Sequence, residues 1–276
     1  MKFEKYKSLV KRQEIINEMF KEIDEREYKK LMGCGYYVYS ATCKKCGTRH
    51  FKGFNQCKSR FCIKCSRIRT LKYLVLFIKK VDMEIYNIHH LVLTLKNYDD
   101  VSVMLKDIKK YWREFYNSDK KFREEFKKRF LGILRSIEVK KGRDEKWHIH
   151  MHTILITNKE YRKDYDFIKE RWKKVTEGRG SVFIKKAKDY KAVIEVVKYV
   201  TNFFKCDLKD LKEIYQCVKG ERLIEVSGIL RGIDKEAEEM EIMEKEAIEF
   251  ICKKCGYNEY EIEAIVYHDC LEMSDL

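Results

Sequence analysis

The spacing of apolar residues changes along this chain, and each change marks an element. Through residues 1–32, Phe3, Tyr6, Leu9, Val10, Ile16 and Phe20 recur at helical spacing, predicting an amphipathic helix that Gly33 and Gly35 end. Residues 66–80 predict a basic helix. From residue 88 the period shortens to two. "IHHLVLTL" (88–95) and "GILRSIEV" (132–139) read as strands, with a long charged helix carrying Trp112 and Phe115 between them over 101–128. "KKGRDEK" reads as a turn into a third strand, "KWHIHMHTILIT" (146–157). A helix through "YDFIKERWKKV", a strand "SVFIKKA" and a helix "YKAVIEVVKYVTNFFK" follow, then a further helix and the strand "ERLIEVSG". The order β-α-β-β-α-β-α predicts an α+β fold, a central antiparallel sheet of ferredoxin-like topology with helices on one face.

Ahead of that series, residues 34–65 hold six of the chain's eleven cysteines and several glycines, the composition of a metal-stapled, zinc-ribbon-like module with little apolar core. The expected organisation is an N-terminal helix (1–33), a cysteine-rich module (34–70), the main α+β domain (71–232) and an acidic tail (233–276), helical at first.

Charge changes the picture next. The net charge is +15, yet from Asp234 onward 14 acidic residues face 4 basic ones, a net of −10, which leaves +25 on residues 1–233. A body so basic suits a polyanion, because each neutralised phosphate releases counterions; a solvated, solubilising surface is the alternative. No apolar run approaches a membrane span and the N-terminus lacks a signal-peptide core, so a cytoplasmic protein is expected. Proline is absent throughout.

Cysteines in such a chain point to metal before disulfides. "CKKC" (43–46) and "CIKC" (62–65) are two knuckles, and Cys43, Cys46, Cys62 and Cys65 can close a tetrahedral structural zinc site. Cys34, Cys57 and His50 remain as candidates for a second site, or as buried thiols. Lys58, Arg60, Arg67 and Arg69, woven through the module, are candidate DNA contacts. At the other end, Cys252 and Cys255 with His268 and Cys270 make one knuckle and a distant pair, too weak a pattern to predict a bound metal.

The chain has seven histidines and places three of them, His148, His150 and His152, at alternate positions of one strand, hence on one face. Such a wall points to a metal. Across the predicted hairpin lies Glu138, opposite the region of His148 or His150 and able to add an oxygen ligand. A mixed site with open positions suits a divalent ion that also binds phosphate. Farther on, Glu195 and Tyr199 are four residues apart on a predicted helix and so share a face. A tyrosine hydroxyl can attack a metal-polarised phosphodiester, and a carboxylate one turn away can activate water.

Taken in order, "CKSRFCIKC", "VLTLKN", "GILRSIEVKKGRDEKWHIHMHTILI", the "RW" helix and "EVVKYVTNFFK" resemble the rolling-circle replication initiators of the pUB110 and pC194 plasmid type, members of the HUH endonuclease superfamily. The resemblance covers residues 34–232 and implies an HUH-type sheet. It implies that His150 and His152 bind Mg²⁺ or Mn²⁺ with Glu138 or His148 as third ligand, and that Thr94 and Leu95 help shape the site. It makes Tyr199 the nucleophile that nicks one strand of an origin, keeps the 5′-phosphate and frees a 3′-OH. Glu195 then matches a carboxylate that activates water to end a round, and Lys198 a basic residue at the scissile phosphate. Where relatives carry proline, this chain has Ile149 and Ile63, which keeps every ligand. The partners implied are single-stranded origin DNA and, since no P-loop motif occurs here, a host helicase and DNA polymerase. A related HUH transposase and a zinc-ribbon DNA-binding regulator that no longer cuts are the competing readings.

Overall fold

The computed structural model describes residues 2–142, 144–160, 165–198, 207–237, 254–255 and 260–266. It divides into two compact units, Arg67–Glu236 and a second formed by Met1–Ser66 with Ala237–Leu276. Where the sequence predicts a separate tail from residue 233, the segment from Ala237 onward therefore belongs with the N-terminal unit. The tail, expected to be helical at first, is helical over 233–237, and 238–253 lie outside the described residues.

The N-terminal unit begins with α1 (Lys2–Ile23) and α2 (Glu25–Met32) in place of one continuous helix. Asp24 makes the break. Its backbone is extended and its side chain accepts a hydrogen bond from the Glu27 N–H at 3.1 Å, an N-cap that restarts the helix. Phe20 is fully buried against Phe61, ring centroids 5.0 Å apart. Gln13 accepts a hydrogen bond from the Ile63 N–H at 2.6 Å, satisfying a donor at the start of α3 (Ile63–Lys80) that has no partner within its helix. Strands β1 (Tyr37–Cys43) and β2 (Arg49–Phe54) form a hairpin. A C-terminal strand, β8 (Tyr260–Val266), joins the free edge of β1, giving the order β2-β1-β8.

The larger unit is built on a five-stranded antiparallel sheet of β3 (Tyr86–Leu95), β4 (Gly132–Lys141), β5 (Trp147–Asn158), β6 (Gly180–Lys186) and β7 (Ile224–Gly228). Its order, β6-β3-β5-β4-β7, is the ferredoxin-like arrangement with β7 added beside β4. The helices are α4 (Val101–Asn117), α5 (Lys120–Arg129), α6 (Asp166–Val175), α7 (Lys191–Lys198) and α8 (Leu208–Val218). The helix predicted over 101–128 is thus two. Asp119 caps the second, accepting from the Phe122 N–H at 3.0 Å, and the turn between them lets α5 fold its phenylalanines back toward α4.

Helices cover both faces of the sheet, not one. On one face, the Arg135 guanidinium stacks on Trp112 of α4 at 4.8 Å, and Phe115 meets Trp172 of α6 at 5.9 Å between centroids. On the other, the Ser136 hydroxyl donates to the Val196 carbonyl of α7 at 2.5 Å. Arg135 and Ser136 are neighbours on one strand, so they point to opposite sides. Phe115 anchors the first layer, fully buried among Phe122, Phe126 and Trp172. Phe115→Ala should lower unfolding stability by about 3–5 kcal/mol, read from urea denaturation followed by tryptophan fluorescence.

Candidate active site

The β4–β5 hairpin sets Glu138 directly opposite His150 and Ser136 opposite His152. Opposed residues of an antiparallel pair share a face, so the carboxylate and both imidazoles converge. One carboxylate oxygen, Oε2, lies 3.2 Å from Nδ1 of His150 and 3.1 Å from Nε2 of His152. One ligand atom from each of the three residues lies within 4.8 Å of the other two, the reach of a single ion. Two nitrogens and one carboxylate oxygen on one side leave the remaining coordination positions for water or phosphate oxygens.

The Glu138 side chain is fully buried while that of His150 remains 32% exposed, so the cluster is closed at its base and open at its rim. Burial alone would raise the pKa of Glu138. Hydrogen bonds from His150, His152 and Lys140 outweigh it and hold the carboxyl down at about 2. Glu138 is therefore an anion at neutral pH, as a cation ligand must be.

His148 shares this face but not the cluster. It lies opposite Lys140, and its Nε2 turns to Asp144 at 3.2 Å. Of the two residues the sequence offered as third ligand, Glu138 is the one brought to His150 and His152.

A further histidine, unmarked by the sequence motifs, stands behind the pair. His90 of β3 lies opposite Ile154, its Nε2 3.2 Å from Nδ1 of His152 and the two rings stacked at 5.4 Å. A contact on the rear nitrogen orients an imidazole whose front nitrogen is to act as ligand. Burial, then the charges of His152 and Lys185, push the pKa of His90 down to about 4 against the opposing charge of Glu195, so it is a neutral ring at physiological pH. In the sequence "IHHL" reads as core strand, but alternation puts His90 on one face with Thr94, and pairing with β5 aligns that face with His150 and His152. Thr94 itself lies opposite His150, with its hydroxyl 2.6 Å from that of Ser181, while Leu95 is buried in the core.

Helix α7 is seated on this same face through the Ser136–Val196 hydrogen bond. It carries Glu195 and Lys198, paired with one another at 2.6 Å and both about two-fifths exposed. Tyr199 lies just beyond, outside the described residues.

The cysteines group otherwise than the knuckle spacing predicts. Cys62 and Cys65 converge with Cys34 and Cys57, not with Cys43 and Cys46. Sulfur separations are 3.5 Å for Cys34 to Cys65 and to Cys62, and 3.6 Å for Cys57 to Cys65. Cys62 immediately precedes α3 and Cys65 lies in its first turn, and both meet Cys34, which follows the end of α2 at Met32. A disulfide would need about 2.05 Å, whereas the edge of a tetrahedral zinc–thiolate site, with bonds near 2.3 Å, is about 3.8 Å. Hydrogen bonds from Cys57, Cys62 and Cys65 pull the pKa of Cys34 far down, and the same contact with Cys34 drives Cys57 and Cys65 up. Four sulfurs so close can all give up their protons only around a cation. The side chain of His50, offered as a further ligand, lies outside what is described.

Of the candidate DNA contacts, Lys58 and Arg67 are exposed and Arg60 and Arg69 half-buried. Lys58 and Arg60 precede α3 in the N-terminal unit, whereas Arg67 and Arg69 are on α3 in the larger one.

The β4–β5 pair thus carries Glu138, His150 and His152 on the face where α7, with Glu195 and Lys198, is seated. The replication protein family Rep_1 matches residues 48–269, and the chain belongs to this family, that of rolling-circle plasmid Rep proteins of the pUB110 and pC194 type. Membership implies a rolling-circle initiator with endonuclease activity that binds DNA. No curated protein and no solved structure matches the chain. Among the described residues no helix is long and apolar enough to cross a membrane.

Proposed function

We propose that this protein is a metal-dependent, site-specific single-strand DNA endonuclease and strand transferase that starts rolling-circle replication through a 5′-phosphotyrosine on Tyr199. The observation that carries the reading is the convergence of Glu138, His150 and His152 on the face where α7 is seated. These three residues would hold Mg²⁺ or Mn²⁺, which supplies charge to polarise the scissile phosphate. The Tyr199 oxygen forms a bond to phosphorus as the bond to the 3′-oxygen breaks; the phenolic proton is given up and the 3′-oxygen takes one, leaving a 3′-OH. Lys198, one residue before the tyrosine, offsets phosphate charge, and Glu195 serves as general base for a later water or hydroxyl. His90 and Ser136 act through others, the first by orienting His152 and the second by tethering α7.

The Cys34, Cys57, Cys62 and Cys65 cluster has the donor set of structural zinc, and its role is to fold the head of the protein. Lys58, Arg60, Arg67 and Arg69 are the DNA contacts this reading assigns, with origin single strands as substrate and a helicase and DNA polymerase of the host as partners. Family membership favours replication over transposition.

The test is covalent capture. The protein is incubated with single-stranded DNA from its own replicon and Mn²⁺, and denaturing electrophoresis should reveal a protein–DNA adduct. Absence of an adduct on every candidate origin would overturn the proposal in favour of a binding-only regulator.

A further inference from the structure

We propose that Cys43, Cys46 and Cys255 form a second structural zinc site, which clamps the C-terminal segment onto the N-terminal hairpin. The three sulfurs lie within 4.8 Å of one another, and Cys43 is 3.6 Å from Cys255, again far from a disulfide and close to the edge of a zinc–thiolate tetrahedron. Cys43 is buried, and Cys46 and Cys255 are half-buried, so the sulfurs sit where unpaired thiolates would be costly and a bound cation would not.

The backbone supports the same geometry independently. β8 pairs with β1 from Tyr37–Val266 to Cys43–Tyr260, so the ladder delivers the C-terminal segment to the end of β1 where Cys43 lies. After Cys43 the chain turns tightly. The Gly47 N–H donates to the Cys43 carbonyl at 2.8 Å and the Cys43 N–H to the Thr48 carbonyl at 3.0 Å, with Gly47 at a φ of +68° that a side chain would strain.

The five residues of that turn, Cys-Lys-Lys-Cys-Gly at 43–47, occur a second time at 252–256. The repeat makes Cys252, which lies outside the described residues, the sequence's choice for the fourth ligand, two knuckles of equal spacing sharing one ion. Four thiolates and Zn²⁺ carry a net of about −2, and Lys44, Lys45 and Lys254 flank the sulfurs in sequence to offset it. A three-stranded sheet with a knuckle from each end of the chain is a zinc ribbon assembled from segments 212 residues apart. The ion would close a loop of that length, in which the entropy cost rises only logarithmically, so a single metal can hold it.

Zinc content of the full-length protein, purified under reducing conditions, tests this by elemental mass spectrometry. Two ions per chain are expected for wild type, and one each for Cys255→Ser, Cys252→Ser and Cys62→Ser. One ion in wild type that Cys255→Ser retains would overturn the second site, and two ions retained in Cys252→Ser would overturn its fourth ligand. A measurement free of mutation runs beside it: alkylation of wild type with N-ethylmaleimide, mapped by peptide mass. Cys255 should be protected until a chelator is added. Equal labelling with and without chelator overturns the proposal. Neither readout depends on DNA cleavage, so each outcome stands apart from the nicking assay.

Discussion

Tyr199→Phe is expected to bind origin DNA and divalent ions as wild type does and to form no covalent adduct. Removing a nucleophile that acts in concert with its partners costs about 10⁶-fold in rate, which falls below detection on a gel. Phenylalanine keeps the ring and deletes only the oxygen that would bond to phosphorus, so loss of the adduct with an unchanged melting temperature would isolate the chemistry. Tyr199 follows directly on α7, whose seat on the Glu138 face is set by the Ser136–Val196 hydrogen bond. An adduct that persists in Tyr199→Phe would place the nucleophile elsewhere.

His150→Ala is expected to lower nicking about 10³-fold, since a metal's charge at a phosphoryl oxygen contributes several kcal/mol at about 1.4 kcal/mol per tenfold. The same substitution at His152 should match it in rate and differ in stability. His150 is partly exposed and its loss leaves Glu138 with two donors. His152 is nearly buried, 3.1 Å from Glu138 and 3.2 Å from His90, so its removal strips a contact from two buried polar groups at once. About 1–3 kcal/mol of folding stability should go with it. Adduct yield against Mn²⁺ concentration, paired with thermal melts, separates the two effects.

Much of this was legible before any coordinates. A two-residue period on a half-polar strand is a strong signal, and β3, β4 and β5 lie where it put them. Glu138 and His148 could not be ranked, because a hairpin's register depends on how many residues its turn consumes, which composition does not state. His90 was invisible as a site residue, since a histidine inside an apolar strand looks like core until the neighbouring strand is known. Both over-long helices failed for one reason. Asp24 and Asp119 satisfy helical periodicity on either side, yet each side chain competes for the backbone and restarts the helix. Knuckles close in sequence were paired with each other, when the partner of Cys43 lies at the far end of the chain. Spacing within a knuckle shows which two thiols act together, but the separation between knuckles carries no information about which of them meet around one ion.

The small turn between β4 and β5 sets the register that brings Glu138 opposite His150. Gly142 donates to the Lys146 carbonyl at 2.8 Å, and a Cβ at this glycine would lie 1.9 Å from Nε2 of His148, so the ring fills the space a side chain would need. His148 thus packs over the glycine of the turn, with its Nε2 also at 3.2 Å from Asp144. One residue more or fewer in that turn would slide β4 past β5 and swing Glu138 to the opposite side of the sheet, parting the carboxylate from the two histidines with all three still encoded. The number of residues in a loop, as much as the identity of the histidines, is what brings a carboxylate to this pair of imidazoles.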